Sequence, residues 1–223
     1  MGSFVHVIKR GTRGLPIVRD KADRDRFLLM LAHFNDEYQP ANWFRDISSI
    51  PLFARPPEWP DQKKLVRILS FCLLTNHFHL LLEETTEGGI SKFMQRLGTG
   101  MSGHFNERYK ERGSMFQGSY RSKTVSDDRY LRYVVAYIQI KNTFEMYPGA
   151  RKRRPSFDEL YSWASHYPYS SLGDYLGLEE RSIIDVSALS EMFPVKEFKS
   201  FSRDFLLGRA KFSEDESATF CFE

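Results

Sequence analysis

Apolar residues along this chain fall into two spacings. Phe4-Val-His-Val-Ile8 alternates, and the runs Leu65 to Leu73 and His77 to Glu83 are nearly continuously apolar, as strands buried on one or both faces are. Three segments instead repeat every three to four residues, as amphipathic helices do. Asp20 to about Tyr38 places Phe27, Leu28, Met30, Leu31 and Phe34 on one side, and Ile90 to Tyr109 does the same with Ile90, Phe93, Met94, Leu97, Met101 and Phe105. The third runs from Asp128 to about Met146, with Ser126-Asp127-Asp128 as its cap and Pro148-Gly149 as its stop. Arg112 to Val125 reads as a loop leading into a last strand. Residues 39–64 hold Pro40, Pro51, Pro56, Pro57 and Pro60 and read as a long surface excursion. The order β-α-β-β-α-β-α predicts an α+β fold, a ferredoxin-like antiparallel sheet with helices on one face. It occupies residues 1–150 with an insertion near 39–64, and residues 151–223 form an acidic, mostly helical C-terminal extension.

Composition narrows the class. At 223 residues, 41% hydrophobic and 27% charged, the chain reads as an ordinary soluble globular protein without a membrane partner. Its first residues do not read as a signal peptide. Cys72 and Cys221 are too few for a disulfide framework or a cysteine zinc site, which points to the cytoplasm. The net charge of +3 hides an asymmetry. Residues 108–154 carry 12 Lys or Arg against 4 Asp or Glu, and residues 155–223 carry 6 against 13. A basic segment inside a folded domain suggests a polyanionic partner, most often nucleic acid.

The candidate chemistry begins at Thr75-Asn76-His77-Phe78-His79. Side chains alternate along a strand, so His77 and His79 share one face and together can hold a divalent metal. The other reading is two unremarkable histidines, one exposed and one in the core. An unrelated His-x-His hydrolase would add further histidines or carboxylates in a cluster, but His6, His33, His104 and His166 are scattered along the chain. Tyr130, Tyr133 and Tyr137 follow at i, i+3, i+7 and form one helical stripe. Such a stripe is ordinarily core packing, but a phenol held in line with a metal-polarised phosphate is also a good nucleophile.

Several motifs, in order, carry a family resemblance over roughly residues 3–148. They are His6-Val-Ile-Lys-Arg-Gly, Asn76-His-Phe-His-Leu-Leu, Phe93-Met-Gln-Arg-Leu97, Phe105-Asn-Glu-Arg-Tyr109, Gly113 to Lys123, Tyr130-Leu131 and Ala136-Tyr-Ile138, with an echo at Tyr169-Ser-Ser171. The sequence resembles the IS200-like single-tyrosine (Y1) transposases of the HUH superfamily, and looks closest to their REP-associated tyrosine transposase branch. The resemblance implies a metal-dependent single-stranded DNA endonuclease and strand transferase that cuts near hairpins through a 5′-phosphotyrosine. His77 and His79 would be ligands for Mg²⁺ or Mn²⁺, and Tyr137 the nucleophile.

The family's third ligand is an amide four residues after the tyrosine. Here that place is Lys141, and the amide, Asn142, comes five residues after, off the tyrosine face of an ideal α-helix. Asn142 brought in by a local distortion, Gln139, water, or loss of the third ligand are the alternatives for the third position. The family's arginine before the aromatic residue is also replaced, by Ser119, with Arg121 following Tyr120. Lys9, Arg10, Arg13, Asn76, Lys92, Arg96, Arg121, Lys123 and Lys141 are candidate DNA contacts. The partner would be single-stranded or hairpin DNA, and the protein a monomer or homodimer. A domesticated, non-cutting DNA-binding protein is the alternative that Lys141 favours. A relaxase is disfavoured because the tyrosine follows the metal strands.

Overall fold

The computed structural model describes residues 3–148 and 155–208. Four strands form an antiparallel sheet in the order β2-β3-β1-β4. They are β1 (Phe4–Arg10), β2 (Val66–Leu73), β3 (His77–Glu84) and β4 (Arg121–Thr124). Helix α1 (Lys21–His33) joins β1 to β2, and α3 (Gly89–Tyr109) joins β3 to β4, which is the ferredoxin-like layout. Strands β2 and β3 are buried along almost their whole length, which explains the continuous apolar run through both.

The two faces do different work. Val7, Phe78, Leu80 and Leu82 point to the face covered by α1 and α3, where Phe27 of α1 packs on Phe78 with ring centroids 5.1 Å apart. Gly98 of α3 lies against Lys9 on the same side, so that a methyl at Gly98 would stand 3.1 Å from the Lys9 Cε. His6, His77, His79 and Leu81 point to the other face.

A second helical layer covers that other face. The predicted helix from Asp128 is a continuous rod in three parts. These are α4 (Asp128–Ala136), a π-helical turn over Tyr137–Lys141, and α5 (Asn142–Glu145). Asp127 caps it by accepting the Tyr130 N–H at 2.9 Å. Thr143 at its far end meets Cys72 of β2, Oγ1 to Sγ 3.6 Å. Helices therefore lie on both faces rather than one.

The excursion 39–64 contains a short helix, α2 (Trp43–Ile47), pinned by aromatic contacts of Trp43 with Phe34 and His33. After residue 154 come α6 (Phe157–Ser165), α7 (Leu172–Tyr175), α8 (Val186–Met192) and α9 (Val195–Leu206). The expected boundary at 150/151 lies outside the described residues. The C-terminal helical region is built into the sheet edge. Tyr169 O accepts the Leu73 N–H at 2.8 Å, the Ser171 N–H donates to Phe71 O at 3.0 Å, and Cys72 bridges Ser170. Unpaired strand edges are liabilities, and the Tyr169-Ser-Ser171 segment closes this one.

Candidate active site

The turn after β1 is stapled to the turn before β3. Gly11 donates its N–H to Asn76 O at 2.8 Å, and the Ile17 N–H donates to Thr75 O at 2.8 Å. Gly11 is required by close approach, since a methyl there would stand 2.2 Å from Leu15 O. Gly14, at φ +72°, presents its carbonyl to the Asn76 side-chain amide at 3.1 Å. With its nitrogen so engaged, Asn76 turns its carbonyl oxygen to His77 Nδ1, 2.7 Å away. A carbonyl only accepts, so Nδ1 of His77 carries the proton and Nε2 is the basic nitrogen. The side chain of Asn76, an expected DNA contact, bonds both Gly14 O and His77 Nδ1.

His79 lies beside His77 with ring centroids 5.0 Å apart and is 1% exposed. Its Nδ1 is 2.9 Å from His6 Nε2. His6 is therefore part of the site, although along the sequence it stands among the scattered histidines. The signal that could have found it is topological. The ferredoxin-like order places β1 against β3, and His6 is one alternation from Ile8, the residue opposite His79. Burial pushes the His6 imidazole down to about 4. Burial, then the nearby His6, His77, Lys141 and Arg10, hold His79 well below the ordinary histidine value. Both rings are neutral at pH 7, the state in which an imidazole nitrogen can donate to a metal.

Tyr137 meets this pair from the opposing helix. Its ring stands 5.5 Å from that of His79 and 6.1 Å from that of His6, edge-on to both. The Asn142 N–H donates to Tyr137 O, five residues back, which defines the π turn. A π turn advances more residues per revolution than an α turn, so the residue five on, not four, returns to the tyrosine side. Asn142 is fully buried, and neither of its side-chain polar atoms has a hydrogen-bond partner. His79 Nε2 and Gln139 Oε1 are likewise buried without one.

Each such atom costs about 1–3 kcal/mol. His79 Nε2 beside the Tyr137 ring and the unbonded Asn142 amide at the end of the π turn are together hard to reconcile with a purely structural role. Gln139 is held away by its other end, Nε2 donating to Ser171 Oγ at 3.1 Å, at the β2 edge. Among the described residues no group of three or more His, Cys, Asp or Glu side chains could hold a metal. The two imidazoles would therefore need an amide oxygen as third protein donor. That donor set fits a cation accepting both nitrogen and oxygen, with water completing the shell.

The cations divide between the faces. Arg121 lies across from Ile8, and Lys123 across from His6, so both share the histidine face, as does Arg10, whose register partner is His77. Lys141 sets its Nζ 4.6 Å from the Tyr137 ring centroid, and Lys123 sets its own 5.3 Å from that of Tyr130. Arg13 is exposed in the turn beside Asn76, at φ +56°. The other expected contacts lie away from the site. Lys9, its ammonium lowered by burial, donates to Gly118 O at 3.0 Å and packs over Phe116 on the α3 face. Arg96 donates to the carbonyls of Asp36 and Glu37 and ties α3 to the chain before the insertion. Lys92 is exposed on α3.

The fold and site together define an α+β domain in which one sheet face presents two oriented histidines to a tyrosine on a covering helix. Residues 60–141 match the family model described as Transposase IS200 like, from just before β2 to the end of the π turn. That stretch is similar to IS200-like transposases, the family that the ordered motifs resemble. No curated protein matches the chain. Among solved structures, one of the REP-associated tyrosine transposase bound to a REP hairpin is similar at 12% identity and a TM-score of 0.44, covering 83% of this chain and 87% of that one. No helix among the described residues is long and apolar enough to cross a membrane.

Proposed function

We propose that the protein is a metal-dependent single-stranded DNA endonuclease and strand transferase that acts beside DNA hairpins and links itself to the 5′-phosphate through Tyr137. The observation that carries this reading is the edge-on seat of Tyr137 against His79, with the buried, unbonded Asn142 one π turn on. His77 Nε2, His79 Nε2 and the Asn142 carbonyl would hold Mn²⁺ or Mg²⁺. Bound there, the ion would draw charge from the scissile phosphate and orient it.

The remaining work falls to side chains. Asn76 keeps the basic nitrogen of His77 at Nε2. Arg10, Arg121 and Lys123 line the face along which a strand backbone would run. Lys141 brings positive charge beside the tyrosine, where phosphate charge must be accommodated. The Tyr137 Oη attacks phosphorus and the P–O3′ bond breaks. The phenolic proton passes to solvent, and the departing 3′ oxygen takes one up to become a 3′-OH. The phosphotyrosine keeps the bond energy that rejoining needs. Tyr137 meets histidines of its own chain, as action in cis would require.

Lys141 favoured a non-cutting DNA-binding protein, and a π turn that returns Asn142 to the tyrosine side weakens that ground. The test is a labelled hairpin oligonucleotide with single-stranded flanks, incubated with protein and Mn²⁺ or Mg²⁺. A covalent adduct on the 5′-phosphate fragment is expected on a denaturing gel. Binding without adduct under either ion would instead establish the non-cutting protein.

A further inference from the structure

We infer that His6 is a positioning residue for the metal site, doing for His79 what Asn76 does for His77. This rests on the proposed metal role of His77 and His79 and adds a member that the motif does not contain. The two histidines are held in the same manner from different sides. His77 Nδ1 faces an obligate acceptor, the Asn76 carbonyl, at 2.7 Å. His79 Nδ1 faces His6 Nε2 at 2.9 Å, and the two rings stack with an interplanar angle of 21° and centroids 5.2 Å apart.

A neutral imidazole has one proton to place. If it sits on His79 Nε2, that buried atom is an N–H with no partner and cannot donate to a metal. If it sits on Nδ1, it is satisfied by His6 Nε2, and the lone pair at Nε2 is available. The second arrangement requires His6 to accept at Nε2 and carry its own proton at Nδ1. His6 reaches His79 diagonally across the β1–β3 ladder, while Ile8 stands directly opposite and contributes no polar atom. No other hydrogen-bond partner of the His79 imidazole is present among the described residues, so His6 is the hydrogen-bonding group there that can set the tautomer of this ligand. Groups in this role typically change metal affinity by about 10–100-fold when removed.

Two measurements separate this inference from the reading beneath it. The first is the tautomer of His79 in metal-free protein, read from long-range ¹H–¹⁵N spectra of ¹⁵N-histidine-labelled protein. A proton on Nδ1 in the wild type is expected, with Nε2 showing the shift of a bare imidazole nitrogen. A proton on Nε2 would overturn the inference whether or not the protein binds metal. The second is Mn²⁺ titration by calorimetry on wild type, His6→Gln and His6→Phe, each checked for folding by circular dichroism. The Gln side chain still offers an acceptor to Nδ1–H and should stay near wild type, whereas Phe should weaken binding by about 10–100-fold. Equal affinity in all three sinks the positioning role and leaves the metal site standing. No Mn²⁺ binding by the wild type, with the Nδ1 tautomer present, overturns the metal reading and leaves the hydrogen bond as found.

Discussion

The backbone N–H of Asn142 donates to the carbonyl of Tyr137, five residues back, inside an otherwise α-helical rod. That single π turn changes which residue follows the tyrosine on the site side. In an α-helix it would be Lys141; here it is Asn142. π turns inside α-helices are uncommon and occur often at functional sites, which suits one that delivers a buried, unbonded amide.

Asn142→Ala should weaken Mn²⁺ binding by at least about tenfold, the scale on which even outer-shell partners act. Adding Lys141→Gln, which restores an amide four residues after the tyrosine, should not recover it while the π turn persists. Calorimetry on the single and double variants decides; recovery in the double variant would show that the fourth position faces the site after all.

Asn142→Leu should raise the melting temperature of metal-free protein while abolishing adduct formation. The substitution replaces two unbonded buried polar atoms with apolar ones, a gain of up to about 1–3 kcal/mol. A lower melting temperature in the variant would mean that Asn142 is satisfied in solution.

Tyr137→Phe should form no covalent adduct and retain hairpin binding, because only the attacking oxygen is lost and the ring contacts with His6 and His79 remain. Filter binding beside the denaturing-gel assay separates the two. Adduct formed by the Phe variant would move the nucleophile elsewhere.

The basic residues should sort by face. Arg121→Ala and Lys123→Ala should each weaken single-stranded DNA binding and lower the slope of log affinity against log salt by about one. Arg96→Ala should leave that slope unchanged and instead reduce stability by about 1–3 kcal/mol, because its guanidinium bonds the Asp36 and Glu37 carbonyls. A salt titration and urea melts on the three variants give the comparison.

Stability should fall as pH drops from about 6.5 toward 4. Burial, and secondarily Arg55, hold His33 at about 4 in the folded protein. Below the ordinary histidine value near 6.5 the unfolded chain takes up a proton that the native site refuses, at about 1.4 kcal/mol per pH unit for each such group. The loss is complete once pH falls through the folded value. His33→Phe should flatten the stability profile between pH 6.5 and 4 relative to wild type in urea titrations, and parallel profiles would place His33 in water.

Local patterns were legible along most of the chain. The strand of His77 to Glu83 reads from its apolar run, α3 from its spacing, and the cap at Asp127 from the acids before Tyr130, because each depends on neighbours a few residues away. The turn at Arg10-Gly11 and the site pair His77 and His79 were visible for the same reason. The short helix Trp43–Ile47 was hidden because aromatic contacts with Phe34 and His33, not propensity, hold it. The sheet face of Lys9 and the carbonyls that Arg96 meets were not legible, because charge in a sequence does not say either.

The sequence by itself determined the strand and helix order, the shared face of His77 and His79, and the tyrosine stripe from Tyr130 to Tyr137, since all follow from fixed backbone periods. Tertiary structure alone decided that His6 meets His79, that the Asn76 carbonyl faces His77 Nδ1, and that the helix winds as a π turn so that Asn142 follows Tyr137. Those three depend on strand order, on a turn stapled across the sheet, and on packing of the covering helix against β2. Each rests on contacts between residues far apart in the chain, His6 with His79, the Asn76 amide with Gly14 O, and the covering helix with β2, and no local period encodes them.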